Sequence, residues 1–192
     1  MKTLACLVAL TSGLTVAHAD VFQYQAFLDG PSEPNSASPG TGSATAIYDS
    51  TAHTLNLSVV FAGLTGNTTA AHIHGPTSAA GAGTAGVITQ TPTFVDFPLG
   101  VTSGSYVRTL DLTLASSWNA AYINNNGGNT AGAEAAFATA LAAGKTYLNI
   151  HSSVYAGGEI RGFLTPVPEP SSLALAGLGA FGLFSALRRQ KR

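Results

Sequence analysis

Cysteine and charge are what this chain is shortest of. Its 192 residues include one cysteine, Cys6, and only 9% are Asp, Glu, Lys or Arg. Cys6 stands in the N-terminal apolar stretch, so residues 20–165 hold no thiol and form no disulfide. A domain of that kind must be held by its hydrophobic core, and 20–165 is long enough to build one. Basic residues are scarcer still. Lys2, Arg188, Arg189, Lys191 and Arg192 sit at the chain ends, leaving Arg108, Lys145 and Arg161 against eight acids, a net charge of −5 over 20–165. Three cations cannot neutralise many phosphates, so nucleic acid is excluded as a partner. The glycines at 81, 83 and 86 lack the Lys and helix start of a phosphate loop. Long apolar runs are absent between the ends and present at both of them.

At the N-terminus Lys2, the apolar run Leu4–Val16 and the A-x-A site Ala17-His18-Ala19 read as a secretory signal peptide over 1–19. At the C-terminus Val167-Pro168-Glu169-Pro170 precedes an uncharged stretch, 171–187, and the basic cluster 188–192. That stretch is near the lower bound of roughly 17–25 residues for a transmembrane helix, and the basic cluster would stay cytoplasmic. In this order, motif, helix and basic end resemble the PEP-CTERM sorting signal of Gram-negative bacteria. The resemblance implies an exosortase as processing partner, transient membrane anchoring through the C-terminal helix, and final residence at the cell surface or in the extracellular matrix.

Between the signals the pattern is mainly β. Val21–Leu28 alternates, with Phe22, Tyr24, Ala26 and Leu28 on one face. Extended segments are expected at 43–48, 53–61, 70–74, 87–97, 101–114, 145–151 and 158–164, separated by Gly, Pro and Asn turns. Residues 77–86 and 124–128 read as loops. Ala-rich 132–143 has Glu134, Phe137 and Leu141 at helical spacing and Gly144 as a C-cap. The expected architecture is a single antiparallel β-sandwich or barrel-like domain with one short helix over 20–165, followed by the sorting signal over 166–192.

Two segments carry the chemistry: Ala71-His72-Ile73-His74-Gly75-Pro76, and Tyr147-Leu148-Asn149-Ile150-His151 followed by Gly158-Glu159-Ile160-Arg161-Gly162. With Ile73, Leu148 and Ile150 turned to the core, strand alternation puts His72, His74, Asn149 and His151 on the opposite, polar face. A hairpin centred near Tyr155 sets His151 opposite Glu159, with Arg161 alongside. These blocks, with the opening Tyr24-Gln25-Ala26-Phe27-Leu28, resemble the CHRD domain, a module of chordin that also occurs in secreted bacterial proteins. The resemblance spans 21–165 and is weak over 77–144. Ser152, Ala156 and Phe163 depart from the family pattern without removing a polar group from the cluster.

Two readings of the histidines stand. In one, His72, His74 and His151 are three ligands for copper or zinc with an open fourth position, and Glu159, Arg161 and Asn149 orient them from behind. In the other they form a structural polar network with Glu159, Asn149 or backbone carbonyls, with Arg161 paired to Glu159. A dinuclear copper/zinc dismutase site is excluded, because it needs about six histidines and residues 20–165 hold His53, His72, His74 and His151 alone. No acid is placed to build a triad around Ser152 or Ser153. His53 reads as solvated, and Trp118 and Tyr122 as core. The role that follows is a non-enzymatic binding or structural component of the envelope or matrix, touching exopolysaccharide; the alternative is a copper or zinc binder or small metal-dependent oxidoreductase.

Overall fold

The computed structural model describes residues 21–168. The expected signal peptide, the expected transmembrane helix over 171–187, the basic tail and the motif residues Glu169 and Pro170 lie outside them. Among the described residues no helix is long and apolar enough to cross a membrane. Eight strands, β1 (Val21–Asp29), β2 (Thr41–Asp49), β3 (Thr54–Ala62), β4 (Thr68–His74), β5 (Gly104–Asp111), β6 (Tyr147–Ser152), β7 (Ile160–Phe163) and β8 (Thr165–Pro166), form one sheet. Its order is β4-β6-β7-β1-β2-β3-β5, with β8 also on β1, and every pair is antiparallel.

The sheet curls into a half-barrel around one apolar face, on which apolar residues recur at every second position. Tyr24, Ala26 and Leu28 of β1, Ala44, Ala46 and Tyr48 of β2, and Leu55, Leu57, Val59 and Phe61 of β3 are all buried. Ala71 and Ile73 of β4, Leu148 and Ile150 of β6, and Ile160 of β7 continue the same core. Phe22, expected on that face, is 39% exposed at the open end of β1.

Helix α2 (Thr130–Ala142) fills the barrel with Ala133, Phe137 and Leu141. Asn129 caps it by accepting from the Gly132 N–H, and Gly144, at φ 63°, ends it as expected. A second helix, α1 (Ala120–Asn125), intrudes on the expected loop and is capped by Asn119. Trp118 and Tyr122 pack in the core, Trp118 edge-on to Phe137. Glu134, buried on α2, accepts from the Tyr48 hydroxyl at 2.9 Å and meets His53 Nδ1 at 2.9 Å. His53 is therefore half-exposed and paired rather than simply solvated.

The two outer strands, β4 and β5, do not pair with each other. Residues 87–97, expected as a strand, cross this gap as a loop. Pro92 has no N–H to offer a ladder, and threonine hydroxyls stand in for backbone acceptors. Ile73 N–H donates to Thr89 Oγ1 and Ala71 N–H to Thr93 Oγ1, both at 2.9 Å. Phe94 and Phe97 then drop into the core against Tyr106, and Arg108 of β5 ties the loop down through Asp96. The open edge is covered in this way, which removes the unpaired groups of a bare strand edge.

Where β7 crosses β1, the backbones come too close for a side chain. A Cβ on Gly162 would collide with the Phe27 carbonyl oxygen. Gly162→Ala is expected to cost about 3 kcal/mol or more by forcing the strands apart. Urea denaturation checks this; an unchanged midpoint would refute the close approach.

Candidate metal centre

Strand β4 pairs with β6 in the register Ala70↔His151, His72↔Asn149 and His74↔Tyr147. Opposed residues share a face, so His72, His74 and His151 gather on the side away from Ile73 and Ile150. Ring centroids are 5.4 Å apart for His72 and His74, 5.0 Å for His72 and His151, and 5.8 Å for His74 and His151. One ring nitrogen from each lies within 4.8 Å of the other two. The face is not the solvated one that alternation suggests. Loop 75–94 lies over it, leaving His72 7% and His74 8% exposed.

Each ring uses one nitrogen on a backbone carbonyl: His72 Nε2 on Pro92 at 2.5 Å, His74 Nδ1 on Ala85 at 3.0 Å, and His151 Nδ1 on Ala156 at 2.9 Å. A carbonyl only accepts, so each of these nitrogens carries the proton. The other nitrogen, His72 Nδ1, His74 Nε2 or His151 Nε2, is then a lone pair. All three are buried and have no hydrogen-bond partner among the described residues. Orientation of the far nitrogen by a carbonyl is the usual support of a metal-ligating imidazole. Burial lowers the pKa of all three, that of His74 to about 4, against the opposing pull of the carbonyl bonds. The rings are neutral at physiological pH, the form that binds metal.

Tyr147 extends the cluster. Its ring stacks on His74 at 5.0 Å, and its hydroxyl reaches the Ala85 carbonyl that also holds His74. Its position, four residues before His151 on the same strand face, marks it in the sequence. The carbonyls of Ala85, Pro92 and Ala156 leave no such mark.

The remaining predicted residues sit beside or apart from the rings. Glu159 does not join them. It lies one residue before β7, after Gly158 at φ 137°, and its carboxylate turns away from the histidine face. It accepts from Ser38 Oγ at 2.5 Å, from the Gly66 N–H at 3.2 Å and from the Thr65 N–H. Burial pushes its pKa up, but bonds from Ser152, Ser38, Thr65 and Gly66 outweigh that and hold it low. Arg161 pairs not with Glu159 but with Glu33, at 3.6 Å. It also donates to the Ser32 and Gly83 carbonyls and lies 4.8 Å from the Tyr147 ring centroid. Asn149 is beside His72 in register but bonds Glu33. Glu33, in the loop between β1 and β2, is the residue that sequence reasoning missed. Of the sorting motif, Val167 donates its N–H to the Gln23 carbonyl at 2.8 Å, and Pro168 is exposed.

Compared with known families, residues 24–164 match the model of the CHRD domain, and residues 166–190 match the PEP-CTERM protein-sorting motif. No curated protein and no solved structure matches the chain.

Two outcomes follow from the buried groups. His74 falls from 6.5 to about 4 on folding, so between those values the unfolded chain binds more protons. Stability is therefore full above pH 6.5 and lost as pH falls toward 4, by roughly 3 kcal/mol for His74 alone. The Glu159 contribution, from a depressed carboxylate, is lost below its ordinary 4.5. Urea midpoints of the metal-free protein across this range should show both steps, and His74→Gln should flatten the upper one. Separately, Glu159→Gln should destabilise by roughly 3 kcal/mol, because its amide cannot accept from all of those donors. Calorimetry that found the variant as stable as the parent would deny the carboxylate this role.

Proposed function

We propose that this chain, which belongs to the CHRD-domain family and ends in a PEP-CTERM protein-sorting motif, holds one copper or zinc ion outside the cell that exports it. The sorting motif implies export, exosortase processing and a surface or extracellular destination. The metal reading rests on the three buried, unpartnered ring nitrogens of His72, His74 and His151. A purely structural network would use both nitrogens of each imidazole, since a buried acceptor without a donor costs about 1–3 kcal/mol. Here three such costs fall at one point, which a single cation offsets. An all-imidazole donor set suits zinc or copper and disfavours magnesium or calcium. Zinc–nitrogen bonds of about 2.0–2.1 Å would draw together three nitrogens that lie within 4.8 Å of one another. Asn149 and Arg161 share the histidines' face and support it from the side, with Arg161 paired to Glu33, and do not ligate.

Metal analysis of the full chain, made without a histidine tag, tests this. About one equivalent of copper or zinc is expected, with a raised Tm on loading and loss of both in His72→Ala/His74→Ala. Absence of metal under copper and zinc supplementation, with no change in Tm, would return the histidines to a structural role.

A second reading has its own observation. The outer face of β1, β2 and β3 carries Phe27, 66% exposed, and Val60, 54% exposed, among Gln25, Ser43 and Thr45, and no charge lies in those rows. An uncharged face with an exposed ring suits a neutral polymer such as exopolysaccharide, as a non-enzymatic component of envelope or matrix. Phe27→Ala should weaken retention on neutral polysaccharide by about tenfold in affinity electrophoresis; equal retention would dismiss this face.

A further inference from the structure

The sorting motif and the folded domain overlap. The matched motif begins at residue 166, while Pro166 belongs to β8 and pairs with Tyr24 of β1. Thr165 pairs with Gln25, its hydroxyl donating to the Gln25 carbonyl at 3.1 Å, and the Val167 N–H reaches Gln23. The motif's first two residues are thus held in the sheet. Just before them, Leu164 is fully buried and its N–H donates to the Thr146 carbonyl at 2.9 Å. β1 also begins at this corner, at Val21.

The distances make this consequential. With β8 in place, only Pro168, Glu169 and Pro170 separate the domain from the apolar stretch at Ser171. Three extended residues span about 10 Å. The polar headgroup layer alone takes up about 5–7 Å on each side of a bilayer. An exosortase acting at the membrane would have to grip a motif pressed against a folded barrel. Releasing residues 165–167 doubles the free chain to about 20 Å. Release is cheap, because Thr165 and Pro166 are exposed and few bonds hold them, and it stops at Leu164.

On the premise of exosortase handling, we propose that β8 is a latch: it must peel from β1 before the sorting motif can be engaged. The latch then sets the order of events, with processing following a local opening of a domain that is already folded.

A disulfide staple tests this directly. Cys6 lies in the leader, so cysteines placed by Gln25→Cys and Thr165→Cys face only each other in residues 20–165, at a pairing distance that a disulfide bridges. The full-length chain is incubated with exosortase-containing membranes, with and without reductant, beside the parent chain under both conditions. The oxidised staple is expected to lose processing and the reduced form to regain it. A six-residue Gly/Ser insertion between Pro166 and Val167 should restore processing to the oxidised form while leaving V-P-E-P intact. Equal processing of oxidised and reduced staples overturns the latch, as does failure of the insertion to rescue. A parent chain left uncut by the same membranes would instead overturn the sorting reading.

Discussion

Everything chemical in this domain depends on the pairing of β4 with β6. The two strands are more than seventy residues apart in the chain, and their register alone decides whether His151 lies beside the His72–His74 pair. A slip by one residue would turn His151 to the opposite face. The register is held from the core side, where Ala71, Ile73, Leu148 and Ile150 are completely buried. Core packing therefore aims the histidines, and the loop over β4 then excludes water from them.

The loop has two jobs carried by neighbouring residues. Its threonines cover the bare edge of β4, and its carbonyls at Ala85 and Pro92 fix the tautomers of His74 and His72. A sheet that closed by pairing β4 with β5 would have spent those edge groups on a ladder. Leaving the barrel open and covering it with an irregular segment supplies carbonyl acceptors at the angles imidazoles need. The Gly158–Gly162 block serves the scaffold in a similar way. Gly158 admits Glu33 and Asn149, Glu159 knots the loops at 38 and 65–66, Ile160 enters the core, and Gly162 lets β1 approach.

Much of this was legible from alternation. Strand faces, the turn of the β6–β7 hairpin near Tyr155 and the Ala-rich helix all follow from apolar spacing and glycine position. Ile150 does pair with Ile160, as that turn requires. What escaped is whatever depends on backbone outside the ladders. Glu159 is opposite His151 by count, yet it sits beyond the strand end, where the pleat no longer decides direction. Residues 87–97 alternate like a strand but cannot form one, because Pro92 lacks an N–H and Thr89 and Thr93 satisfy β4 with side chains. Arg161 seemed destined for the nearest acid in sequence, and took Glu33 because loop 30–40 folds over the same sheet end.

The histidine cluster and the tail share a wall without sharing a fate. Phe163, the last residue of β7, packs on Tyr147 at 5.3 Å, and Tyr147 stacks on His74. A disturbance passing Leu164 would reach the histidines through those rings. Leu164 prevents it, since a completely buried side chain and a backbone bond to Thr146 make it far harder to move than the exposed pair that follows. Peeling β8 gives up backbone bonds on β1, on the far side of β7 from the cluster. The sheet order β4-β6-β7-β1 thus insulates the two sites: one rests on the first pair of strands, the other on the last, and β7 stays fixed between them. A domain handled at its end while its three imidazoles stay in register needs that separation, and a single curled sheet supplies it.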